Sequence, residues 1–327
     1  MKALIVGASG HLGAHLARAL LRRGVEVRAF VRPSSQTLGL FGLDIEIVTG
    51  DALDRDSLRK AMKSCAYVFH LAAPTGFDPK ASEIILKGTK AVLEESARAK
   101  IERVVITSST VTVGYSDKPV SLDESTVTHS SVTQYHSAKW HAERHALDFA
   151  RHGHMAVVVV NPAAIVASLD YRVTPSIAPI QRCLDRGLAI AFNGGLTIVH
   201  AGDVAEGHIL AAESGVSGER YILGGEQLTI PDYFSLIAEI CGKQSPRLVM
   251  PRWVMLAVGA GFSFVQLLGI GSVPFSFRQI SNIAGRYAWY SSEKARRQIG
   301  YHWRPAREAI ADYVDWVRSG RPGAATR

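Results

Sequence analysis

The sequence predicts an α/β fold in which a doubly wound parallel sheet carries a smaller, mostly C-terminal lobe. Three observations support this fold class. Short runs rich in valine and isoleucine recur up to residue 167, longer segments of helical character separate most of them, and the regular alternation ends there. Strands that are apolar throughout are typical of a parallel sheet with helices on both faces. A chain of 327 residues is long enough for one large domain and a smaller lobe.

The predicted elements of the first half follow one another as strand, turn and helix. The strands are predicted at 3–6, 25–31, 45–48, 67–71, 104–107 and 157–160, and the helices at 11–23, 56–64, 81–99 and 135–152. Further along, the sequence predicts strands at 196–199 and 221–223 and a helix at 204–214. Pro231 follows Thr229 by two residues, which is typical of a first helical turn, so we expect a helix to begin there.

A glycine-rich turn directly follows the first strand and opens the first helix. It reads Gly7-Ala8-Ser9-Gly10-His11-Leu12-Gly13. Glycines at this spacing permit a tight turn and let the backbone approach a pyrophosphate, while the helix N-terminus supplies N–H donors. Such a motif is weak evidence alone, but its position between strand and helix indicates a Rossmann-type dinucleotide site. We expect cofactor contacts from Gly7, Ser9, Gly10, His11, Leu12 and Gly13.

The end of the second strand bears on which dinucleotide binds. It carries Arg32 followed by Ser34 and Ser35, with no carboxylate. A carboxylate there normally holds the adenosine ribose 2′-hydroxyl, whereas a guanidinium suits a 2′-phosphate. The sequence therefore predicts NADP(H) as the preferred cofactor, with NAD(H) as the alternative. The other interpretation is that Arg32 is a solvated loop charge.

Asp51 follows the third strand in Thr49-Gly50-Asp51-Ala52. Its carboxylate either accepts a hydrogen bond from the adenine amino group or caps the next helix. With the cofactor motifs in place, we expect residues 1–167 and 196–224 to form the NADP(H)-binding domain. Residues 168–195 and 225–318 would form the substrate-binding lobe, and 319–327 a flexible tail.

Tyr135 and Lys139 are spaced so that they lie one helical turn apart on one face. A phenol has a pKa of about 10, and a neighbouring ammonium is expected to lower it, so that the phenol can exchange a proton with a substrate oxygen. Upstream, Thr107-Ser108-Ser109-Thr110 ends an apolar strand, where hydroxyls face the ligand crevice of an α/β sheet. One of these hydroxyls can stabilise charge on the reacting oxygen. The order of the three motifs indicates hydride-transfer chemistry.

These motifs resemble the extended short-chain dehydrogenase/reductase superfamily over nearly the whole chain. Shared stretches include His70-Leu71-Ala72-Ala73, Gly88-Thr89, Asn161-Pro162 and Val199-His200-Ala201-Gly202-Asp203-Val204-Ala205. The resemblance implies that Ser109 is the catalytic hydroxyl, with Thr110 as the alternative, that Tyr135 is the acid/base and that Lys139 is its partner. It also implies further cofactor contacts, from Ala52, Leu71, Ala72, Ala73, Thr107, Tyr135, Lys139, Asn161 and Pro162.

Within that superfamily the chain is similar to the dihydroflavonol-4-reductase-like branch, which includes hopanoid-associated sugar epimerases. The similar stretches are 220–226, 251–253 and 295–301. Two departures matter. Asn161 stands where the family often has arginine, and Ile85 stands where it often has an asparagine that supports the active site. The second departure argues against a sugar-nucleotide epimerase.

Two enzymatic functions are therefore predicted, with a non-catalytic, cofactor-sensing module as a third hypothesis. The first is an NAD(P)-dependent oxidoreductase that moves a hydride between NADPH and a carbonyl or alcohol carbon of a hydrophobic small molecule. The alternative is an NDP-sugar epimerase or dehydratase that returns its bound cofactor unchanged. The family resemblance also implies a homodimer.

The composition narrows the range of partners and compartments. The net charge is +8, but the basic residues are scattered without any run of five, so we expect no nucleic-acid partner. Three cysteines lie far apart in the sequence, which fits a reducing compartment. The first strand begins at the N-terminus without a signal-peptide pattern, so a cytoplasmic protein is expected. His141, Glu143 and His145 lack a metal-ligand pattern, and we expect no metal and a solvated helix face there.

One stretch is exceptionally apolar. Residues 253–277 contain no charged side chain, although glycines and Pro274 interrupt them. The favoured interpretation is an apolar wall of a substrate pocket or a buried helix pair. Peripheral membrane contact and a true membrane span are the alternatives.

Overall fold

The computed structural model describes residues 1–73, 81–126, 133–153, 155–267 and 284–321. For residues 262–267 it describes the backbone alone. Its main sheet has seven strands in the order β10-β6-β5-β4-β1-β2-β3, all parallel. These strands are β1 (Lys2–Val6), β2 (Glu26–Val31), β3 (Glu46–Thr49), β4 (Tyr67–His70), β5 (Arg103–Thr107), β6 (Ala156–Pro162) and β10 (Arg220–Leu223). The predicted fold class is confirmed.

Helices cover both faces of this sheet. One face packs against α1 (His11–Arg22) and α6 (Ala201–Ser214), and the other against α2 (Arg55–Ala61), α3 (Ala81–Arg98) and α4 (Gln134–Arg151). The central residues of β6, from Val157 to Val160, are fully buried. This explains the continuous apolar runs in the sequence, since a strand covered on both sides has no polar face.

A second group of elements forms around its own core. A four-stranded sheet contains β7 (Ala164–Val166), β9 (Gly195–His200), β11 (Glu226–Thr229) and β13 (Tyr287–Ala288), and β8 (Ile190–Phe192) pairs with β12 (Leu248–Met250). The helices of this part are α5 (Ala178–Arg186), α7 (Ile230–Cys241), α8 (Arg252–Leu267), α9 (Glu293–Ile299) and α10 (Ala306–Arg318). The strands β7 and β9 belong to this second sheet, although the predicted domain division placed 164–166 and 196–200 with the first.

Two helix starts can be compared with the sequence expectations. Thr229 caps α7 by accepting a hydrogen bond from the backbone N–H of Asp232, as the position of Pro231 predicted. At α2 the cap is Asp54, whose side chain accepts from the N–H groups of Asp56 and Ser57. The interpretation of Asp51 as this cap is therefore wrong. Its carboxylate instead accepts from the Leu53 N–H in the preceding turn.

The apolar stretch is only partly described, because residues 268–283 lie outside the described chain. Its first part forms α8, on which Trp253 is 72% exposed and Val258 42%. The expected buried helix pair is therefore wrong for 252–261, because most of these residues contact solvent. No helix among the described residues combines the length and apolar character that a bilayer span requires.

Candidate active site

The glycine turn between β1 and α1 has no room for larger side chains. Gly7 has a φ of +95°, and a Cβ placed on it would lie 2.7 Å from the backbone N of Ala72. A Cβ on Gly13 would lie 2.5 Å from the carbonyl O of Gly7. Gly10 precedes α1, where no side chain caps the helix and its first turn contains no acidic residue. The turn therefore presents backbone N–H groups and a positive helix end to one side.

A cleft opens on that side, above the carboxyl ends of β1, β2 and β4. Its cavity volume is about 150 Å³. Nine of the predicted cofactor residues line it: Gly7, Ser9, Gly10, Arg32, Asp51, Ala52, Leu71, Ala72 and Ala73. Ser35, Ile84 and Arg172 also line it but were not predicted. Arg172 lies ten residues beyond Pro162, outside the cofactor motifs, and no local pattern marks it.

Other predicted cofactor residues lie beneath or beside this cleft. Leu12 and Gly13 are buried in the first turn of α1. The His11 side chain points to a buried carboxylate, with its Nδ1 3.8 Å from Asp170 Oδ2. Burial lowers the pKa of His11, so its ring is neutral near pH 7. A contact between these residues and a cofactor therefore remains a prediction.

Tyr135 lies in the first turn of α4, which begins where Thr133 accepts a hydrogen bond from the His136 N–H. Its side chain interacts with that of Ser109. Burial raises the pKa of Tyr135 to about 12, and the interaction with Ser109 acts in the opposite direction. The expected lowering of this pKa by Lys139 is therefore wrong for this arrangement, in which the loss of hydration outweighs the neighbouring groups.

Lys139 lies on the same face of α4, one turn further on, and is buried. Its Nζ donates a hydrogen bond of 2.9 Å to the carbonyl oxygen of Thr107, at the end of β5. Burial lowers the pKa of Lys139 to about 8, while the Glu143 carboxylate raises it. This hydrogen bond holds the ammonium at the carboxyl end of β5, where Ser109 follows Thr107 by two residues.

The neighbouring hydroxyls have other partners. Ser108 donates a hydrogen bond of 2.5 Å to Glu143, and the Thr110 side chain interacts with that of Tyr290, whose hydroxyl donates to the Gly114 carbonyl at 2.8 Å. Of the three hydroxyls of Ser108, Ser109 and Thr110, that of Ser109 is the one that interacts with Tyr135 within the described chain. The geometry therefore favours Ser109 over Thr110 for contact with a substrate oxygen.

Glu143 is 3% exposed and lies at the centre of a polar network behind the site. Its Oε2 accepts hydrogen bonds from Ser108, Thr112 and the Asn161 amide, and its Oε1 pairs with Arg220 at 2.7 Å. The expectation that Glu143 lies on a solvated helix face is wrong. It follows Lys139 by one turn on the face of α4 that packs against the sheet, where a carboxylate requires partners.

Asn161 is also part of this network. Its side chain is fully buried, and its amide donates to the Ser109 carbonyl at 3.1 Å. The amide thus holds the backbone that carries Ser109, and the expected contact between Asn161 and the cofactor stays a prediction. Pro162 follows it at the end of β6.

Comparisons with known proteins extend over the whole chain. The family model described as "NAD dependent epimerase/dehydratase family" matches residues 3–224. Sterol demethylase protein B of Methylococcus capsulatus is 34% identical over 97% of this chain and 98% of its own length. The 4-hydroxy-2-methyl-3-oxo-4-farnesyl-3,4-dihydroquinoline-1-oxide ketoreductase of Stigmatella aurantiaca is 28% identical over 99% and 98%. The crystal structure of gox2253 has a TM-score of 0.88 and 31% identity, covering 98% of this chain and 99% of that chain.

Proposed function

The chain belongs to the NAD dependent epimerase/dehydratase family and is a nicotinamide-dependent oxidoreductase. On that premise we propose that it transfers a hydride between NADPH and a carbonyl or alcohol carbon of a hydrophobic small molecule. The observation that carries the proposal is the interaction between the Ser109 and Tyr135 side chains, with the Lys139 ammonium held on the Thr107 carbonyl at the end of β5. Tyr135 packs in one apolar cluster with Ala73, which lines the cleft built around the glycine turn.

The residues of the cleft fit a dinucleotide. The close approaches at Gly7 and Gly13 leave space that a Cβ would fill, and the uncapped end of α1 suits a pyrophosphate. Arg32 would bind the 2′-phosphate of NADPH, and Asp51 the adenine amino group. When bound, the nicotinamide ring supplies or accepts the hydride.

The protein's own groups would manage the proton and the developing charge. Because its pKa is raised, Tyr135 keeps its proton near pH 7 and can donate it to a substrate oxygen during reduction. Ser109 would donate a hydrogen bond to the same oxygen. Lys139 would hold the ribose hydroxyls of the cofactor.

Two kinds of observation support an apolar substrate. The described part of the apolar stretch exposes Trp253 and Val258, and the adjacent β12 exposes Leu248 and Val249. Two relatives that match almost the whole chain are named for a sterol and for a farnesylated quinoline. We infer that the substrate is a ketone, aldehyde or alcohol of terpenoid or aromatic character.

The same surface supports peripheral contact with an anionic membrane. Between Glu239 and Glu293 the sequence contains five lysine or arginine residues and no aspartate or glutamate. Arg252 and Arg286 share one carboxylate, that of Asp117, so positive charge is in excess beside the exposed apolar side chains. Such a surface suits an interface with acidic lipids. We propose that a cytoplasmic homodimer meets the membrane through this surface.

The test is the loss of NADPH absorbance with a panel of apolar and aromatic ketones and aldehydes, with NADH in parallel. We expect stoichiometric loss with at least one carbonyl and a preference for NADPH. Replacing Tyr135 with Phe should lower kcat by about 10²–10⁴-fold, the contribution usual for a general acid, without weakening cofactor binding. Unchanged turnover in Y135F would contradict the role of Tyr135.

The same assay separates the reductase from an epimerase or dehydratase. An enzyme that recycles its cofactor would convert an NDP-sugar without net loss of NADPH absorbance. Such conversion, together with no loss across the carbonyl panel, would replace the proposed reaction by the alternative.

A further inference from the structure

Arg172 lines the cofactor cleft although it is 140 residues from Arg32 in the sequence. Both guanidiniums belong to exposed residues that line the same cleft, together with Ser35. Neither forms an ion pair with a carboxylate in the part of the chain that the structure describes. Two cationic residues therefore line one cleft, and neither has an acidic partner among the described residues.

The turn that carries Arg172 is held by a buried carboxylate. Asp170 is 1% exposed, and its oxygens accept hydrogen bonds from the Arg172 N–H at 3.2 Å and the Thr174 N–H at 3.0 Å. The Thr174 hydroxyl donates a third bond of 2.6 Å. Three bonds to one carboxylate fix the backbone on both sides of Arg172.

This segment also has an uncommon backbone conformation. Leu169 has a φ of +65° and Val173 a φ of +51°. A positive φ is rare for a residue with a Cβ, and rarest for a β-branched one such as valine. Conformations of this kind persist where the surroundings impose them, and they cluster at ligand sites. The turn around Arg172 is thus a built feature rather than a relaxed loop.

The segment packs against the part of the cleft that holds Arg32. The Tyr171 ring lies 3.9 Å from the position a Cβ would take on Gly39, in the loop that follows β2. Arg18 of α1 fastens that loop by donating to the Gly39 carbonyl at 2.5 Å. Arg172 therefore enters the cleft from the side of the β2 loop, whose first residue is Arg32.

We propose that Arg172 is a specificity-determining residue that, together with Arg32, holds the 2′-phosphate of the cofactor. The inference rests on the proposed function, which assigns a nicotinamide cofactor to this cleft. A guanidinium can give two parallel hydrogen bonds to a phosphate, so two of them can engage all three of its terminal oxygens. The 2′-hydroxyl of NADH offers no such charge, and Arg172 then has little to bind.

The experiment measures binding of NADPH and NADH to purified wild-type protein, R172Q and R32Q by titration calorimetry, with 2′-AMP and 5′-AMP as fragments. We expect R172Q to weaken NADPH and 2′-AMP at least tenfold and to change NADH and 5′-AMP less than twofold. R172K should recover part of the loss. R186Q, which removes an exposed arginine at the end of α5, should bind all four like the wild type.

Three outcomes would overturn the inference. Equal weakening of NADPH and NADH would place Arg172 on the pyrophosphate instead, and unchanged NADPH binding would remove it from the site. A wild-type protein that binds NADH as tightly as NADPH would show that no 2′-phosphate site exists. Loss of NADPH affinity in R32Q but not in R172Q would overturn the inference and leave the proposed function standing. A wild-type protein that binds neither dinucleotide would contradict the proposed function itself.

Discussion

Burial of the Lys139 side chain disfavours its charged form. Its pKa in the folded protein is about 8, against an ordinary value of 10.5. Between these values the unfolded chain binds more protons than the folded one, so the free energy of unfolding rises with pH across that window. Below about pH 8 the burial of the charged Lys139 lowers the unfolding free energy by its full amount, about 3 kcal/mol at 1.36 kcal/mol per pKa unit.

We therefore expect the wild type to gain about 2–3 kcal/mol of unfolding free energy relative to K139M between pH 7 and pH 10. Urea denaturation at both pH values measures this difference. K118M, at an exposed lysine, is the matched control and should show no such trend. A difference that stays constant with pH would mean that Lys139 is not a buried ammonium.

Residue roles were predicted unevenly from the sequence. Tyr135 and Lys139 could be found, because their spacing fixes a shared helix face and their side chains belong to one reaction. The burial of Glu143 could not, since its partners Ser108, Asn161 and Arg220 come from three other strands or strand ends. Its neighbours His141 and Arg144 are exposed, and they make the local sequence look like a solvated surface.

At the scale of single elements, α8 is the one whose surroundings the sequence predicted least well. Apolar composition usually indicates burial, yet most of residues 252–261 are exposed. The strands of the main sheet behaved as expected, because burial on both faces leaves a continuous apolar run. An exposed apolar helix has the same composition as a buried one, so only the structure separates them.

The exposed face of α8 leads to a prediction about membranes. Wild-type protein should float with vesicles that contain phosphatidylglycerol, less so in high salt, and hardly at all with phosphatidylcholine alone. W253Q should weaken this binding by about 10- to 150-fold, since burial of a large apolar side chain contributes about 1.5–3 kcal/mol. W303Q, at another exposed tryptophan, serves as the control. Equal effects of both substitutions, or no flotation of the wild type, would contradict membrane contact through α8.

For the molecule as a whole, the fold was predictable and the cofactor cleft only in part. The order of strands and helices follows from local patterns, whereas the cleft is completed by Arg172 from beyond the sixth strand. Its contribution depends on how the 168–174 segment returns to the loop after β2, which no local pattern indicates. Long-range packing of this kind is what the sequence did not predict.

The predicted homodimer belongs to this scale as well. We propose that the homodimer forms through α3 and α4, which pack side by side next to the candidate site. Since one chain has a mass of 35.4 kDa, light scattering after size exclusion should give about 71 kDa. A mass near that of one chain at micromolar concentration would contradict the dimer. The A142R substitution, at a buried alanine of α4, would not test it, because that residue packs inside the monomer.

The strand order also has a consequence for how the protein is made. The strand β10 covers β6, yet about 60 residues separate the end of β6 at Pro162 from the end of β10 at Leu223. At about 5–20 residues per second, the ribosome needs roughly 3–12 s to deliver the covering strand. Throughout that interval the nascent chain has an unpaired β6 edge of four consecutive valines, a ready template for aggregation. A chaperone that shields this edge during synthesis would therefore raise the yield of native enzyme more than one that acts after release.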